Sequence, residues 1–368
     1  MALHPPSPAR AVIADDSGFM RRLLRQALET AGLIVVGEAA DGDEALALCH
    51  RHRPEVLTLD LAMPGRDGIG VLAALRATDL PTVVVVVSAF SPAHGARAVD
   101  ALAEGAFDLV VKPEIGTSPA VFLTEIGTKA NSAAAASRRP RPAVPAAAAS
   151  TGGATASGGA TATGNGNGNG DGDGRASFRG RPPLVVIACS TGGPRALGEL
   201  LPKLPAPLGA GTLIVQHMPP GFTAPLAARL DKNSALHVRE ASSGDVVARD
   251  DVLIAPGGSH MHLLAGGRVE LTADEEPIGG LRPRADLTIV DAAKHYGRRL
   301  LLVVLTGMGK DGLDGARAVK QAGGRILVEA ESTCSVYGMP RAVFEADLAD
   351  AELALYDLPA AIAAECAQ

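Results

Sequence analysis

The chain has no tryptophan, and aromatic side chains make up only 3% of its 368 residues. Proteins that hold single-stranded nucleic acid by stacking bases need aromatic platforms that this composition does not supply. Positive charge is not in excess either: 34 Lys and Arg face 40 Asp and Glu, for a net charge of −6. The basic footprint of a nucleic-acid binder is missing. Cysteine is sparse. Cys49, Cys189, Cys334 and Cys366 are scattered with no CxxC pair, which excludes the usual zinc spacing and a disulfide framework. Long apolar runs are absent. Val83–Val87 and Leu300–Leu305 fall far short of the ~18 residues that a membrane span needs. The opening MALHPPSPAR lacks the apolar stretch of a secretory leader. The expectation is a cytoplasmic chain that is not an integral membrane protein.

What is present divides the chain in three. From Asn131 to Pro182, Val144 and Phe178 are the only large apolar residues, and the rest is mainly Ala, Gly, Ser, Thr, Pro and Asn. Such a stretch buries too little apolar surface to offset its ordering entropy. Residues 129–182 are therefore expected to form a flexible linker between a domain at 8–128 and another at 183–368, each long enough for its own core. Both read as α/β. In the first, β-branched apolar runs at Ala11–Ala14, Leu33–Val36, Val56–Leu59, Thr82–Val87 and Leu109–Val111 alternate with helical patterns such as Met20-Leu23-Leu24-Ala27-Leu28. Five strands with helices between them predict a doubly wound parallel sheet of flavodoxin-like order. The second shows strand runs at Leu184–Ala188, Thr212–Gln216, Val252–Ala255, Leu300–Thr306 and Arg325–Val328. Helical stretches lie near 194–201, 222–232, 286–296 and 313–322, and a β-hairpin lies over 260–272. This predicts a second, mainly parallel doubly wound sheet with a hairpin.

Ligands of such sheets gather beyond the carboxyl ends of the strands. In the first domain Asp15 and Asp16 end the first strand and Asp60 ends the third. Three acids at one edge repel unless a cation joins them, and few hard oxygen ligands suit Mg2+. Ser88 ends the fourth strand, and Lys112, followed by Pro113, ends the fifth. A carboxylate beside Mg2+ and a lysine is a plausible phosphoryl acceptor, because the cations neutralise charge on the transferred group. Asp16 read by itself is also an ordinary helix N-cap.

With AVIADDS, LTLDLAMPGRDG, VVVVVSA and LVVKP in place, residues 10–128 resemble the receiver domain of two-component response regulators. The resemblance implies phosphorylation at Asp60, Mg2+ held by Asp15, Asp16, Asp60 and the Ala62 carbonyl, a switch hydroxyl at Ser88 and a supporting cation at Lys112. It implies a histidine kinase as phosphodonor. The family's usual aromatic three residues before the lysine is Leu109 here, so the coupling of hydroxyl movement to an aromatic rotamer lacks its side chain.

The second domain begins with a strand that runs into Cys189-Ser190-Thr191-Gly192-Gly193-Pro194. A serine at a strand-to-helix turn stands exposed at the sheet's edge. Glycines there let backbone N–H groups approach a substrate, and the helix start favours developing negative charge. The same residues also read simply as a cap followed by proline in the first turn. The next strand ends in Gln216-His217, which places an imidazole beside Ser190 if the two strands are neighbours. His237, His260, His262 and His295 are rival bases. The most apolar strand leads into Thr306-Gly307-Met308-Gly309-Lys310-Asp311-Gly312, where Asp311 can orient the histidine and Met308 can offer its N–H. Gly307, Gly309 and Gly312 also match a dinucleotide fingerprint, with Glu329 near the ribose position. Against it, Asp311 would set a carboxylate against a pyrophosphate. The order Ser190, His217, Asp311 differs from that of the α/β-hydrolases.

IACSTGGPRAL, LIVQHMPPGFT, IAPGGSHM, LTGMGKDG and CSVYGMPRA make residues 184–364 similar to the catalytic domain of the chemotaxis protein-glutamate methylesterases. That resemblance implies a nucleophile at Ser190, a base at His217, an acid at Asp311 and oxyanion contacts near Thr191 and Met308. It implies phosphorylation-activated ester hydrolysis and glutamine deamidation on the cytoplasmic domains of methyl-accepting chemoreceptors. No cofactor is expected for the hydrolase. The alternative is a receiver fused to a non-catalytic module whose serine turn holds an anion or a dinucleotide.

Overall fold

The structure, a computed structural model, describes residues 7–89, 92–113, 118–138 and 182–367. The N-terminal unit runs β1 (Arg10–Ala14), α1 (Gly18–Thr30), β2 (Ile34–Ala39), α2 (Gly42–His52), β3 (Val56–Asp60), α3 (Gly68–Arg76), β4 (Val83–Ser88), α4 (Pro92–Ala103), β5 (Asp108–Val111) and α5 (Ala120–Ser137). Its five strands are parallel in the order β2-β1-β3-β4-β5. The apolar runs form the central strands because both faces of a doubly wound sheet are covered by helices. The turn after α1 shows the local logic. Gly32 takes φ +87 just past the helix, and the N–H groups of Gly32 and Leu33 return to the carbonyls of Glu29 and Leu28.

The boundary expected at residue 128 needs correction. Residues 129–137 are the last turns of α5, with Ala130, Ala133 and Ala134 buried. An all-alanine stripe at helical spacing offers little apolar area, but it lets a helix lie close to its neighbours: a Cβ on Gly127 would stand 2.9 Å from the Ala31 Cβ. The remainder of the expected linker, residues 139–181, lies outside the described residues.

The C-terminal unit runs β6 (Leu184–Cys189), α6 (Gly193–Leu200), β7 (Thr212–Gln216), α7 (Thr223–Asp231), β8 (His237–Glu240), β9 (Asp251–Ile254), β10 (His260–Leu263), β11 (Val269–Thr272), α8 (Ala285–Tyr296), β12 (Leu300–Val304), α9 (Leu313–Gln321), β13 (Arg325–Glu329), α10 (Met339–Glu345), β14 (Ala351–Leu353) and α11 (Leu358–Cys366). Seven strands make one parallel sheet in the order β14-β13-β12-β6-β7-β9-β8, and β10 and β11 form the separate antiparallel hairpin. Every residue of β6 and β12 is fully buried, so each large aliphatic side chain there contributes roughly 1.5–3 kcal/mol of burial. The chain leaves β6 for β7 on one side, and β12 returns on the other. The carboxyl end of β6 is thus the switch point, where a crevice opens.

Candidate active site

Ser190, His217 and Asp311 come from the ends of the three adjacent central strands. Cys189 pairs with Gln216, so the residues that follow them, Ser190 and His217, leave neighbouring strands side by side. The His217 N–H donates to the Cys189 carbonyl at 3.1 Å, and the Ser190 N–H donates to the Thr306 carbonyl at 3.0 Å. The imidazole is nearly enclosed. Its Nε2 lies 2.7 Å from Asp311 Oδ2, while Nδ1 is buried without a hydrogen-bond partner. Of the histidines considered, His217 alone reaches Asp311. His262 pairs with Asp291 at 2.8 Å, His260 faces the Glu276 carbonyl and His237 is exposed.

Asp311 is 3% exposed. Besides His217 it accepts the N–H groups of Ala285 at 2.7 Å, Asp286 at 3.0 Å and Gly312 at 2.9 Å. Burial alone would raise its pKa, but the His217 hydrogen bond and charge, with the backbone donors, hold it well below the usual carboxylate range. A permanent carboxylate on Nε2 fixes the neutral imidazole with its proton there. In the neutral ring Nδ1 is then the free base. Asp286, buried at 6%, backs this loop through the N–H groups of Gly312 and Gly315 and pairs with Arg284 at 2.7 Å. Burial pushes the Asp286 carboxyl up. A carboxylate enclosed at Asp311, with His217 and backbone N–H groups around it, argues against the pyrophosphate of the dinucleotide reading.

The sequence reading gave Gln216 and Thr306 no role of their own and placed Glu329 only in the dinucleotide alternative. The Thr306 hydroxyl donates to the Thr191 carbonyl at 2.9 Å and accepts the Val336 N–H at 2.9 Å, while its own N–H reaches Glu329 at 2.8 Å. Gln216 was detectable as the polar side chain that closes the buried run TLIVQ. Neither Thr191 nor Met308 gives its backbone N–H to a partner among the described residues.

The second constellation is acidic. Oxygens of Asp15, Asp16 and Asp60 all lie within 4.8 Å of one another. Lys112 Nζ stands 2.8 Å from Asp15 and 2.6 Å from Asp60. Burial raises the Asp15 pKa despite Lys112. Burial opposes the charge on Lys112 as well, but its two carboxylates outweigh that and raise its pKa. Two of the three carboxylates, Asp15 and Asp60, share one ammonium, and the exposed Asp16 adds to the negative charge, which suits a hard divalent cation. Ser88 is buried at the next strand end, and its carbonyl accepts the Lys112 N–H at 2.8 Å. Leu109 is packed into the core at 1% exposure.

The two units touch beside Ser190. The Thr191 hydroxyl donates to the Asp108 carboxylate at the start of β5, and Asp100 on α4 pairs with Arg229 on α7 at 2.7 Å. Gly95 of α4 packs so close to Gly221 that a Cβ would stand 2.5 Å from its carbonyl oxygen. A cavity of about 270 Å3 remains between the units, lined in part by Arg76, Phe107, Gly192, Arg195 and Ser335.

Comparison with known proteins finds a family for each unit. Residues 185–362 match the family model described as CheB methylesterase, and residues 11–118 match that of the response regulator receiver domain. A protein-glutamate methylesterase/protein-glutamine glutaminase of Symbiobacterium thermophilum is 43% identical over 96% of this chain and 96% of its own length. One of that name from Pyrococcus abyssi is 35% identical over 95% of this chain and 91% of its own. The crystal structure of the Thermotoga maritima CheB methylesterase catalytic domain covers 50% of this chain and 98% of its own, at 44% identity and a TM-score of 0.48.

Proposed function

Because the chain belongs to the CheB methylesterase family, we propose that it hydrolyses methyl esters of protein glutamates and side-chain amides of protein glutamines, under the control of its own receiver. The observation that carries the reading is the buried His217–Asp311 pair beside Ser190 at the switch point of the sheet. Ser190 Oγ attacks the ester or amide carbonyl as His217 Nδ1 takes its proton. The N–H groups of Thr191 and Met308 hold the negative oxygen of the tetrahedral intermediate. His217 returns the proton to the departing methanol or ammonia, and an acyl-serine remains. Water, deprotonated by His217, then releases the glutamate carboxylate. Asp311 stays ionised throughout and stabilises the imidazolium. Ser190 and His217 do not hydrogen-bond in this structure. Such bonds commonly tighten only with substrate bound.

In the receiver, Asp60 accepts the phosphoryl group from a histidine kinase. The carboxylates of Asp15, Asp16 and Asp60, with the Ala62 carbonyl, suit Mg2+, which would neutralise charge on the phosphoryl group. Lys112 holds a positive charge against Asp60. The substrates are the cytoplasmic domains of methyl-accepting chemoreceptors, and the enzyme works in the cytoplasm. No helix among the described residues is long and apolar enough to cross a membrane.

The unphosphorylated receiver restrains the hydrolase. Asp108 engages Thr191, the residue after the nucleophile, and α4 lies against α6 and α7. Phosphorylation weakens this interface because the two receiver states favour it differently. The expected shift is about 1–3 kcal/mol, or roughly 5–150-fold in rate. Methanol release from methyl-esterified receptor membranes, with and without phosphodonor, tests both claims. Phosphodonor with Mg2+ should raise the rate, and Asp60→Ala should stay slow under the same conditions. Asp108→Ala should be faster than wild type without phosphodonor. An Asp60→Ala chain that responds like wild type would sink the regulatory reading.

A further inference from the structure

We propose that Gln216 and the Gly338–Met339 turn are positioning groups of this reaction, each aiming one oxyanion donor by gripping the other side of its peptide. The inference rests on Thr191 and Met308 being those donors. A planar trans peptide points its C=O and N–H in opposite directions. The described cis bonds precede Pro207 and Pro283, so the Ser190–Thr191 and Gly307–Met308 peptides are both trans. Fixing one carbonyl therefore fixes the direction of the N–H behind it.

Both carbonyls are fixed. That of Ser190 accepts Gln216 Nε2–H at 3.0 Å and the Gly193 N–H at 2.8 Å. The same Nε2 donates to the His217 carbonyl at 3.0 Å, and Oε1 accepts the Cys189 thiol at 3.0 Å. The amide is 2% exposed and uses both of its ends. It ties the nucleophile turn to the strand end that carries the imidazole. The Gly307 carbonyl accepts the N–H groups of Gly338 at 3.1 Å and Met339 at 2.9 Å. Space at that grip is minimal, because a Cβ on Gly338 would stand 2.6 Å from the Gly307 oxygen.

The two peptides meet at the nucleophile. A Cβ on Gly307 would fall 2.9 Å from the Ser190 Cβ. Among the described residues the N–H groups of Thr191 and Met308 have no partner, as donors awaiting a charge should. The CSVYGMPRA segment thus serves the reaction through the Gly307 carbonyl.

The test uses the full chain with phosphodonor and Mg2+, carrying Gln216→Met or Gly338→Ala. Methanol release from methyl-esterified receptor membranes is normalised to Ser190 labelled to completion by a fluorophosphonate. Per reactive serine, kcat should fall about 10–100-fold while KM stays within about twofold, as expected when a donor is misaimed and substrate binding is not touched. Counting only labelled enzyme keeps misfolded chains out of the comparison. If both variants retain kcat within about twofold, or lose kcat and KM together, the positioning role is wrong. A Ser190→Ala chain that still turns over would instead overturn the underlying reading of the site. If Ser190→Ala is inert while both variants run at full rate, only the positioning role fails.

Discussion

Ser190→Ala lowers methanol release by roughly 10^4-fold or more, because it removes the atom that forms the covalent intermediate. Adding His217→Ala costs little beyond that. Without a nucleophile, Nδ1 has no serine proton to take, and the two groups act as one unit. Multiplicative losses in the double variant would mean that His217 works independently of Ser190, for example by activating water directly on the ester. The residual rate in either variant reports what Thr191, Met308 and substrate binding supply without covalent chemistry. The measurement is steady-state methanol release, compared across the two single variants and the double one.

Asp311→Asn is expected to be nearly as damaging, with roughly 10^4-fold lost in kcat, because the amide dictates the wrong tautomer. With Asp311, Nε2 carries the proton and Nδ1 is the free base. An NH2 group facing Nε2 turns that nitrogen into an acceptor, so the proton moves to Nδ1 and the serine loses its base. The amide cannot simply turn away. Oδ1 already accepts the N–H groups of Asp286 and Gly312, and Oδ2 accepts that of Ala285. Wherever the NH2 is placed, it meets a backbone donor, at a cost of about 1–3 kcal/mol for the unsatisfied group. A pH signature separates this from general damage. The Asp311 carboxyl is held below its ordinary 3.8, so its stabilisation is fully present above that value and lost as pH falls through the lowered one. The gap in Tm between wild type and Asp311→Asn should therefore be widest near neutrality and narrow in strong acid. Full activity in Asp311→Asn would move the acid role to Asp286, the other buried carboxyl of that loop.

Much of this was legible in the linear sequence. The long apolar runs became the central strands, because a β-branched run buried on both faces has few alternatives. The edge strands β8 and β14 were not legible. They have four and three residues, partly exposed, and pair because a neighbouring edge is available rather than because their own pattern demands it. The end of α5 was misjudged for a related reason: Ala130, Ala133 and Ala134 look featureless until a close neighbour makes small size an advantage. Motif residues could be put forward for the site because strand ends in a parallel sheet converge on one edge, but position left His237, His260, His262 and His295 as rivals, and the family resemblance singled out His217.

Three matters were decided only in three dimensions. The nitrogen that His217 turns to Asp311 depends on the approach of the β12 loop, which no spacing encodes. The work of Gln216 depends on two carbonyls, one next to it in the chain and one 26 residues away, coming within reach of a single Nε2. The contact of Asp108 with Thr191 joins residues 83 apart through the packing of two separate sheets. The sequence by itself determined which side chains the protein has for chemistry and which strand ends carry them, because burial and periodicity are local properties. Tertiary structure alone decided how those side chains are aimed, because hydrogen-bond direction depends on where distant backbone lies.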